Sequence, residues 1–230
     1  MPLILNIETA TNICSVALSE KENIISFRET SIENSHSSLL TVFIEEIFKE
    51  AKLKLSDIDA VSISKGPGSF TGLRIGVSTA KGLCYALEKP LLSVNTLKAM
   101  TFGIIKNNKD KNALYCPMLD ARRMEVYTAL FNSNLEEVEP TNAKIIDEKS
   151  FSDILLKTKI LFFGSGANKC KDFYKDTKNA VFIHDFNASA KYMAGLSYQK
   201  FLKKEFENVA YFEPYYLKDF FATTPKDKLA

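Results

Sequence analysis

The sequence predicts an α/β protein built as two related lobes, each with a mixed sheet flanked by helices, and three observations carry that expectation. Three short apolar runs separated by turn residues open the chain, the pattern of a strand meander. Helical and strand periodicities then alternate as far as about Lys106. After the polar stretch Lys106 to Asn112 a new meander begins at Ala113, and the alternation repeats. No residue-level repeat relates the halves, so the expected duplication is one of architecture.

Leu3 to Ile7 is the first apolar strand. Ser15 to Leu18 and Ile24 to Phe27 follow, joined by the turn residues Glu20 to Asn23. From Ser37 to Lys52, apolar residues including Leu39, Leu40, Phe43, Ile44 and Ile47 recur at helical spacing, with Ser35, Ser37 or Ser38 available as cap. Ala60 to Ser64 reads as a buried strand, Phe70 to Leu87 as a helix, and Leu91 to Val94 as a strand behind Pro90. Thr96 starts a helix that fades into the polar stretch. In the second half, Ala113 to Leu119 and the alternating Glu125 to Phe131 are strands on either side of the charged turn Asp120 to Met124. A helix ends at Ile154 to Leu156, and Ile160 to Phe163 is a buried strand running into Gly164-Ser165-Gly166. Ala167 to Tyr174 is expected to be helical, Val181 to Ile183 a strand, and Ala188 to Lys203 a helix with Ala190, Met193, Ala194, Leu196 and Phe201 inward. The tail from Thr223 is polar and expected to fray. The lobes are expected to divide as residues 1–108 and 109–230.

The bulk properties exclude several classes. With 230 residues and 46% hydrophobic content, the chain has enough apolar mass for two compact cores. Its net charge of +2 comes from interspersed acids and bases, so nothing advertises autonomous nucleic-acid binding. Cys14, Cys84, Cys116 and Cys170 form no CxxC pair and read as free thiols of a reducing compartment. Met-Pro-Leu-Ile-Leu-Asn leads straight into a strand, unlike a signal peptide, and no apolar run approaches the ~20 residues that span a bilayer. The expected location is the cytoplasm, with no membrane partner.

The most specific segment is Gly66-Pro67-Gly68-Ser69-Phe70-Thr71-Gly72-Leu73-Arg74-Ile75-Gly76. A glycine loop between a strand and a helix seats an anion on free backbone amides, or makes a tight turn that sets the helix on the sheet. Ser69 or Thr71 can cap the helix. The loop is not a Walker A element, because no Gly-Lys-Ser/Thr closes it. Its GxGxxxG spacing, with Pro67 inside, is not the dinucleotide fingerprint. No GxSxG context or motif-level His neighbour makes Ser69, Cys14 or Cys84 a nucleophile, so peptidase machinery is absent from the motifs. Asp120, Arg122, Arg123 and Glu125 read as an acid–base cluster or as a solvated charged hairpin. Along the second helix Gly72, Gly76 and Ala80 share one face, widened by Ser69 and Thr79. Each helical glycine costs about 0.8–1 kcal/mol relative to alanine, so some surface must approach closely. That surface is the chain's own sheet and first helix, or a helix of another subunit.

These motifs, with Ile4-Leu5-Asn6-Ile7-Glu8-Thr9-Ala10-Thr11, Cys14-Ser15-Val16-Ala17-Leu18, Leu119-Asp120-Ala121-Arg122-Arg123-Met124-Glu125-Val126-Tyr127 and Glu213-Pro214-Tyr215-Tyr216-Leu217, resemble the TsaB (YeaZ) family over the whole chain. The resemblance implies the actin-like, or ASKHA, fold. It implies a non-catalytic subunit that supports the catalytic subunit TsaD, together with the ATPase TsaE. The assembly forms N6-threonylcarbamoyladenosine at position 37 of tRNA, and the isolated chain is expected to pair as a homodimer. The expected interface is Leu39, Val42 and Phe43 of the first helix with Gly72, Gly76, Thr79 and Ala80 of the second.

Catalytic relatives are expected to hold a metal through two histidines a turn apart on a helix. Here the histidines are His36 and His184, with Leu40 four residues after His36 and Ile32 four before it. No catalytic residue, metal or cofactor is therefore expected, and His36 and His184 are expected as surface, capping or loop residues. In the actin-like fold an early acid and hydroxyl contact the metal–phosphate group, and Glu8 and Thr9 occupy that place. They are candidate nucleotide contacts, or simply the start of a hairpin turn. Gly164, Ser165 and Gly166 are a second candidate, as a phosphate or ribose turn. The alternative readings are a stand-alone ATPase or phosphotransferase of this fold and, less favoured, a peptidase.

Overall fold

Alternation along the opening residues settles how the first lobe is layered. The computed structural model describes residues 1–32, 35–108 and 110–218. β1 (Leu3–Glu8) is buried along its whole length, as a central strand must be. It pairs antiparallel with β2 (Cys14–Glu20), which pairs antiparallel with β3 (Asn23–Thr30). On its other side it pairs parallel with β4 (Ala60–Gly66), which is followed by β5 (Leu91–Asn95). The sheet order is β3-β2-β1-β4-β5.

One face of this sheet, with Leu5, Ile7, Val61 and Ile63, packs under α1 (His36–Ala51) and α2 (Phe70–Leu87). Leu40, Ile44 and Ile47 supply the α1 stripe, and Val77, Ala80 and Cys84 the α2 stripe. Ile4, Ala60 and Leu92 point to the opposite face.

The second sheet repeats the plan. β6 (Leu114–Asp120) and β7 (Glu125–Phe131) are antiparallel, and β8 (Glu137–Ile145) adds antiparallel to β7. β9 (Ile160–Phe163) and β10 (Ala180–Ile183) continue in parallel from β6, giving the order β10-β9-β6-β7-β8. Counted from the central strand outward, the two sheets share one connectivity. α3 (Thr96–Asn107) lies on the second sheet through Leu97, Met100 and Ile104 against Tyr115, Phe131 and Phe163.

Three sequence expectations change. β8 was not anticipated: Glu137-Val138-Glu139-Pro140 is polar and largely exposed, as suits an edge strand, and Pro140 lies where the register with β7 shifts. The expected helix Ala167 to Tyr174 is a 3-10 turn, Ala167–Cys170, followed by irregular turns. Ala167, Cys170 and Tyr174 still face inward, so the periodicity was right and the continuous α hydrogen bonding was not. The expected helix Ala188 to Lys203 divides into a 3-10 turn, Ala190–Met193, and α5 (Ala194–Leu202). A short helix, α4 (Ser152–Leu155), stands where a helix was expected to end.

The lobes are not successive halves of the chain. After Ala190 the backbone returns to the first sheet, where Tyr198 and Phe201 of the α5 region cover Ile4, Ala60 and Leu92. Ser197 Oγ donates to Asn6 Oδ1 at 2.7 Å. Glu207 N then donates to the Leu91 carbonyl at 2.8 Å, and Val209 and Phe212 join the first core. A division into 1–108 and 109–230 therefore fails for the C-terminal segment, because a chain folding back leaves no composition shift to mark it. The tail from Thr223 lies outside the described residues. No helix among them is long and apolar enough to cross a membrane.

Candidate functional site: the glycine loop, the inter-lobe cleft and the helix pair

The glycine loop is a packing joint between β1 and α2. Gly66 has φ +107°, a conformation open to glycine. Ser69 N donates to the Ala10 carbonyl at 2.6 Å, and Ser69 Oγ caps α2 by accepting from Gly72 N at 3.3 Å. These two amides thus serve the fold, as the tight-turn reading expects. A Cβ at Gly68 would overlap the Ala10 carbonyl, one at Gly72 the Thr9 carbonyl, and one at Gly76 Thr9 Oγ1. The small residues on α2 admit the end of β1.

This decides the small-residue band. Gly72, Gly76 and Ala80 are buried within the chain, so their expected place in an interface with another subunit is corrected: the close approach that offsets helical glycine is internal. The other four interface candidates keep surface. Val42 is 42% exposed, while Leu39, Phe43 and Thr79 are half-buried. They lie on α1 and α2, which pack side by side on the sheet, and beside them Gly82 faces open space.

A cleft of about 520 Å³ opens between the lobes, lined among others by Thr11, Asn12, Ser69, Thr71, Arg122 and Ser165. Its rim includes the C-terminal segment. Tyr215 N donates to the Lys65 carbonyl at 2.7 Å, and the Tyr216 ring lies 4.8 Å from that of Phe70. Lys218 pairs with Glu125 across the cleft edge. The charged turn is a hairpin: Asp120 Oδ1 accepts from Arg122 N at 2.6 Å and from Lys169 Nζ at 2.8 Å. Arg122 and Arg123 both take the left-handed conformation, with φ 73° and 48°.

Of the five nucleotide candidates, Ser165 lines the cleft, and its Oγ accepts from Asp120 N at 3.1 Å. Gly164 and Gly166 are pressed against β6 and β7, where added Cβ atoms would meet the Met118 carbonyl and, at 2.8 Å, Val126 Cγ1. Glu8 and Thr9 are fully buried. Glu8 Oε1 accepts from Ala10 N at 2.6 Å and Ser64 Oγ at 2.8 Å, while Glu8 Oε2 and Thr9 Oγ1 find no hydrogen-bond partner among the described residues. Burial raises the Glu8 pKa to about 7 despite these hydrogen bonds. A carboxylate turned inward and drawn toward its neutral form does not fit a metal–phosphate ligand.

The histidine pattern does not fit a metal pair either. His36 is buried, not a surface group, and its Nε2 lies 3.2 Å from the Ile13 carbonyl. Leu40, one turn on, is buried in the core. No group of three or more His, Cys, Asp or Glu residues among the described residues could hold a metal.

Two mixed sheets of one connectivity, with a cleft between them, give the chain the actin-like (ASKHA) fold. A solved structure described as YeaZ from Pseudomonas aeruginosa superposes with a TM-score of 0.75 at 21% identity, covering 94% of this chain and 100% of that one. The family model described as TsaD, tRNA N6-adenosine threonylcarbamoyltransferase, matches residues 29–226. Among curated relatives, a Bacillus subtilis protein named tRNA threonylcarbamoyladenosine biosynthesis protein TsaB is 31% identical over 75% of each chain. A protein of the same name from Buchnera aphidicola subsp. Acyrthosiphon pisum is 34% identical over 64% of this chain and 68% of its own. The chain belongs to the TsaB (YeaZ) family, within the wider threonylcarbamoyltransferase family of TsaD.

Proposed function

We propose that this chain is a non-catalytic, cytoplasmic subunit that binds and supports a TsaD-type catalytic subunit, with a TsaE-type ATPase, in forming N6-threonylcarbamoyladenosine at position 37 of tRNA. Family membership gives the pathway. The observation that carries the subunit role is the fate of the groups a catalyst needs: His36 is spent on the Ile13 carbonyl, Leu40 stands one turn beyond it, and Glu8 is sealed inside the first lobe. The docking surface in this reading is the exposed side of α1 and α2, centred on Leu39, Val42, Phe43 and Thr79. Without TsaD the same surface pairs with a second copy. tRNA meets the chain within the complex.

Reconstitution tests the proposal. TsaD and TsaE are combined with unmodified tRNA and the threonylcarbamoyl donor, with and without this chain. Modified nucleoside should form only when all three proteins are present. Val42→Glu should reduce both co-purification with TsaD and product formation at least tenfold while leaving thermal stability unchanged, since the side chain already meets water. Equal product without the chain, or full transfer by the chain alone, would end the proposal.

A further inference from the structure

We infer that a second cavity, on the opposite side of β4 and β5 from the helix pair, is a site for a phosphate-bearing anion, RNA backbone or nucleoside polyphosphate. The inference goes beyond the subunit role and does not depend on it. The cavity holds about 550 Å³, within the range of ligand sites, and is bounded by the end of β5, the start of α3, the β7–β8 hairpin and α5. Lys65, Lys98, Lys200 and Lys203 line it, from β4, the first turn of α3 and the end of α5.

The placement of these lysines is unfavourable for the isolated fold. Lys65, Lys98 and Lys200 are half-buried, so water screens them less than it screens surface charges. The lysine ion pairs among the described residues engage Lys106, Lys144, Lys159, Lys169, Lys191 and Lys218 instead. Lys98 sits in the first turn of a helix, where the backbone dipole disfavours a cation. Burial and then the charge of Lys65 lower the Lys200 pKa; Glu207 and Glu205 act against this, and Lys98 adds to the lowering. Lys200 Nζ is held in place by the Ser93 carbonyl at 2.9 Å.

The carboxylates nearby offset part of the charge of the four ammonium groups but form no ion pair with them among the described residues. Glu137 and Glu205 line the cavity, and Glu207 Oε1 accepts from Ser93 Oγ at 2.5 Å. Asn95, whose side-chain oxygen caps α3 at Lys98 N, and Thr141 add neutral polar groups. A phosphate, which lysines bind as point charges, would relieve both the mutual repulsion and the clash with the helix dipole. Lysines from separate elements converge here because the C-terminal segment folds back onto the first sheet.

The test uses the full chain with inorganic tripolyphosphate, ATP and an unmodified tRNA transcript, measured by calorimetry and filter binding across a salt series. The pocket variant K65Q/K98Q/K203Q leaves the Lys200 bond intact. The control K157Q/K175Q/K178Q removes the same charge from exposed lysines elsewhere. The pocket variant should bind at least tenfold more weakly and the control less than twofold. The log–log salt slope for tRNA should fall by about 2 in the pocket variant, at roughly 0.7–0.9 per phosphate contact. Loss of tRNA and tripolyphosphate binding together identifies RNA backbone as the source. Loss of tripolyphosphate and ATP binding with tRNA unaffected identifies a small polyphosphate. No binding of any probe at millimolar concentration, or equal weakening by both triple variants, overturns the inference. Should the pocket triple unfold, K98Q and K203Q singly carry the same comparison.

Discussion

Two alanine substitutions in α2 separate internal packing from an outward-facing interface. Gly76 and Gly82 share the helix, so either change to alanine gains the same propensity, about 0.8–1 kcal/mol. They differ in what the new methyl meets. At Gly82 it meets nothing within 4 Å among the described residues. At Gly76 it would overlap Thr9 Oγ1 and lie 2.9 Å from Ile63 Cδ1, a residue of the first core. Overpacking of this kind costs about 1–3 kcal/mol. Gly82→Ala should therefore stabilise by close to the full propensity gain, and Gly76→Ala should be neutral or destabilising by up to about 2 kcal/mol. Because propensity cancels, the difference reads the steric cost directly: about 1–3 kcal/mol, or roughly 2–12 °C in Tm for a chain this size. Urea unfolding followed by circular dichroism measures it. Thr9→Ala in the Gly76→Ala background removes the nearest opposing atom, Thr9 Oγ1, and should restore part of the loss, a positive coupling in the double-mutant cycle. If Gly76→Ala stabilises as much as Gly82→Ala, the helix face does not hold the end of β1, and the small residues are free for another chain.

Three further outcomes are expected. Glu8, raised from 4.5 to about 7, keeps its proton longer folded than unfolded, so its contribution is complete below pH 4.5 and is lost as pH rises to about 7, by roughly 3 kcal/mol. Glu8→Gln should flatten that part of the stability–pH profile, and an unchanged slope would refute the burial argument. Phe212→Ala, in the returning C-terminal segment, should cost about 2 kcal/mol as a half-buried core contact, measured by the same unfolding assay. Cys14, Cys84, Cys116 and Cys170 are all buried, and burial pushes their thiols up, to about 11 for Cys14 and Cys84. None should react with a disulfide reagent at pH 8 until denaturant is added, and fast labelling of the native chain would contradict the core.

The sequence was legible where local pattern and packing agree. β1 to β5, α1 and α2 follow from apolar periodicity and from Ser69 and Gly66 as punctuation, because each element buries a face within its own lobe. β8 was invisible because an edge strand needs no apolar run: Val138 and Ile145 are exposed, and backbone pairing with β7 supplies the order. The return of residues 190–218 to the first sheet was equally hidden. Ser197 reaching Asn6, and Tyr215 reaching Lys65, are contacts between residues more than a hundred positions apart. At the site, the sequence marked Gly72 and Gly76 as places of close approach but not the partner, since Thr9 offers no pattern of its own. The lysine cavity has no local signature at all, because its members come together only through the tertiary fold.

The same joint bears on the alternative of a stand-alone phosphotransferase. A carboxylate that organises a metal and phosphates must be ionised and must face the cleft. Glu8 fails the second requirement, and burial, which raises its pKa to about 7, works against the first; its orientation is built into the packing. Ala10 N and Ser64 Oγ hold one oxygen, and the glycine face of α2 closes over Thr9 beside it. To turn Glu8 outward, the residues 8–10 would have to leave the α2 glycines, breaking the Ser69–Ala10 hydrogen bond that seats the helix. The motif most suggestive of a phosphate loop therefore works against phosphate chemistry at Glu8, and in doing so it seats α2 on the sheet beside α1. The subunit role proposed above needs such a surface. ATP turnover by the purified chain, abolished by Glu8→Gln, would show that the joint opens and would return the enzyme reading to first place.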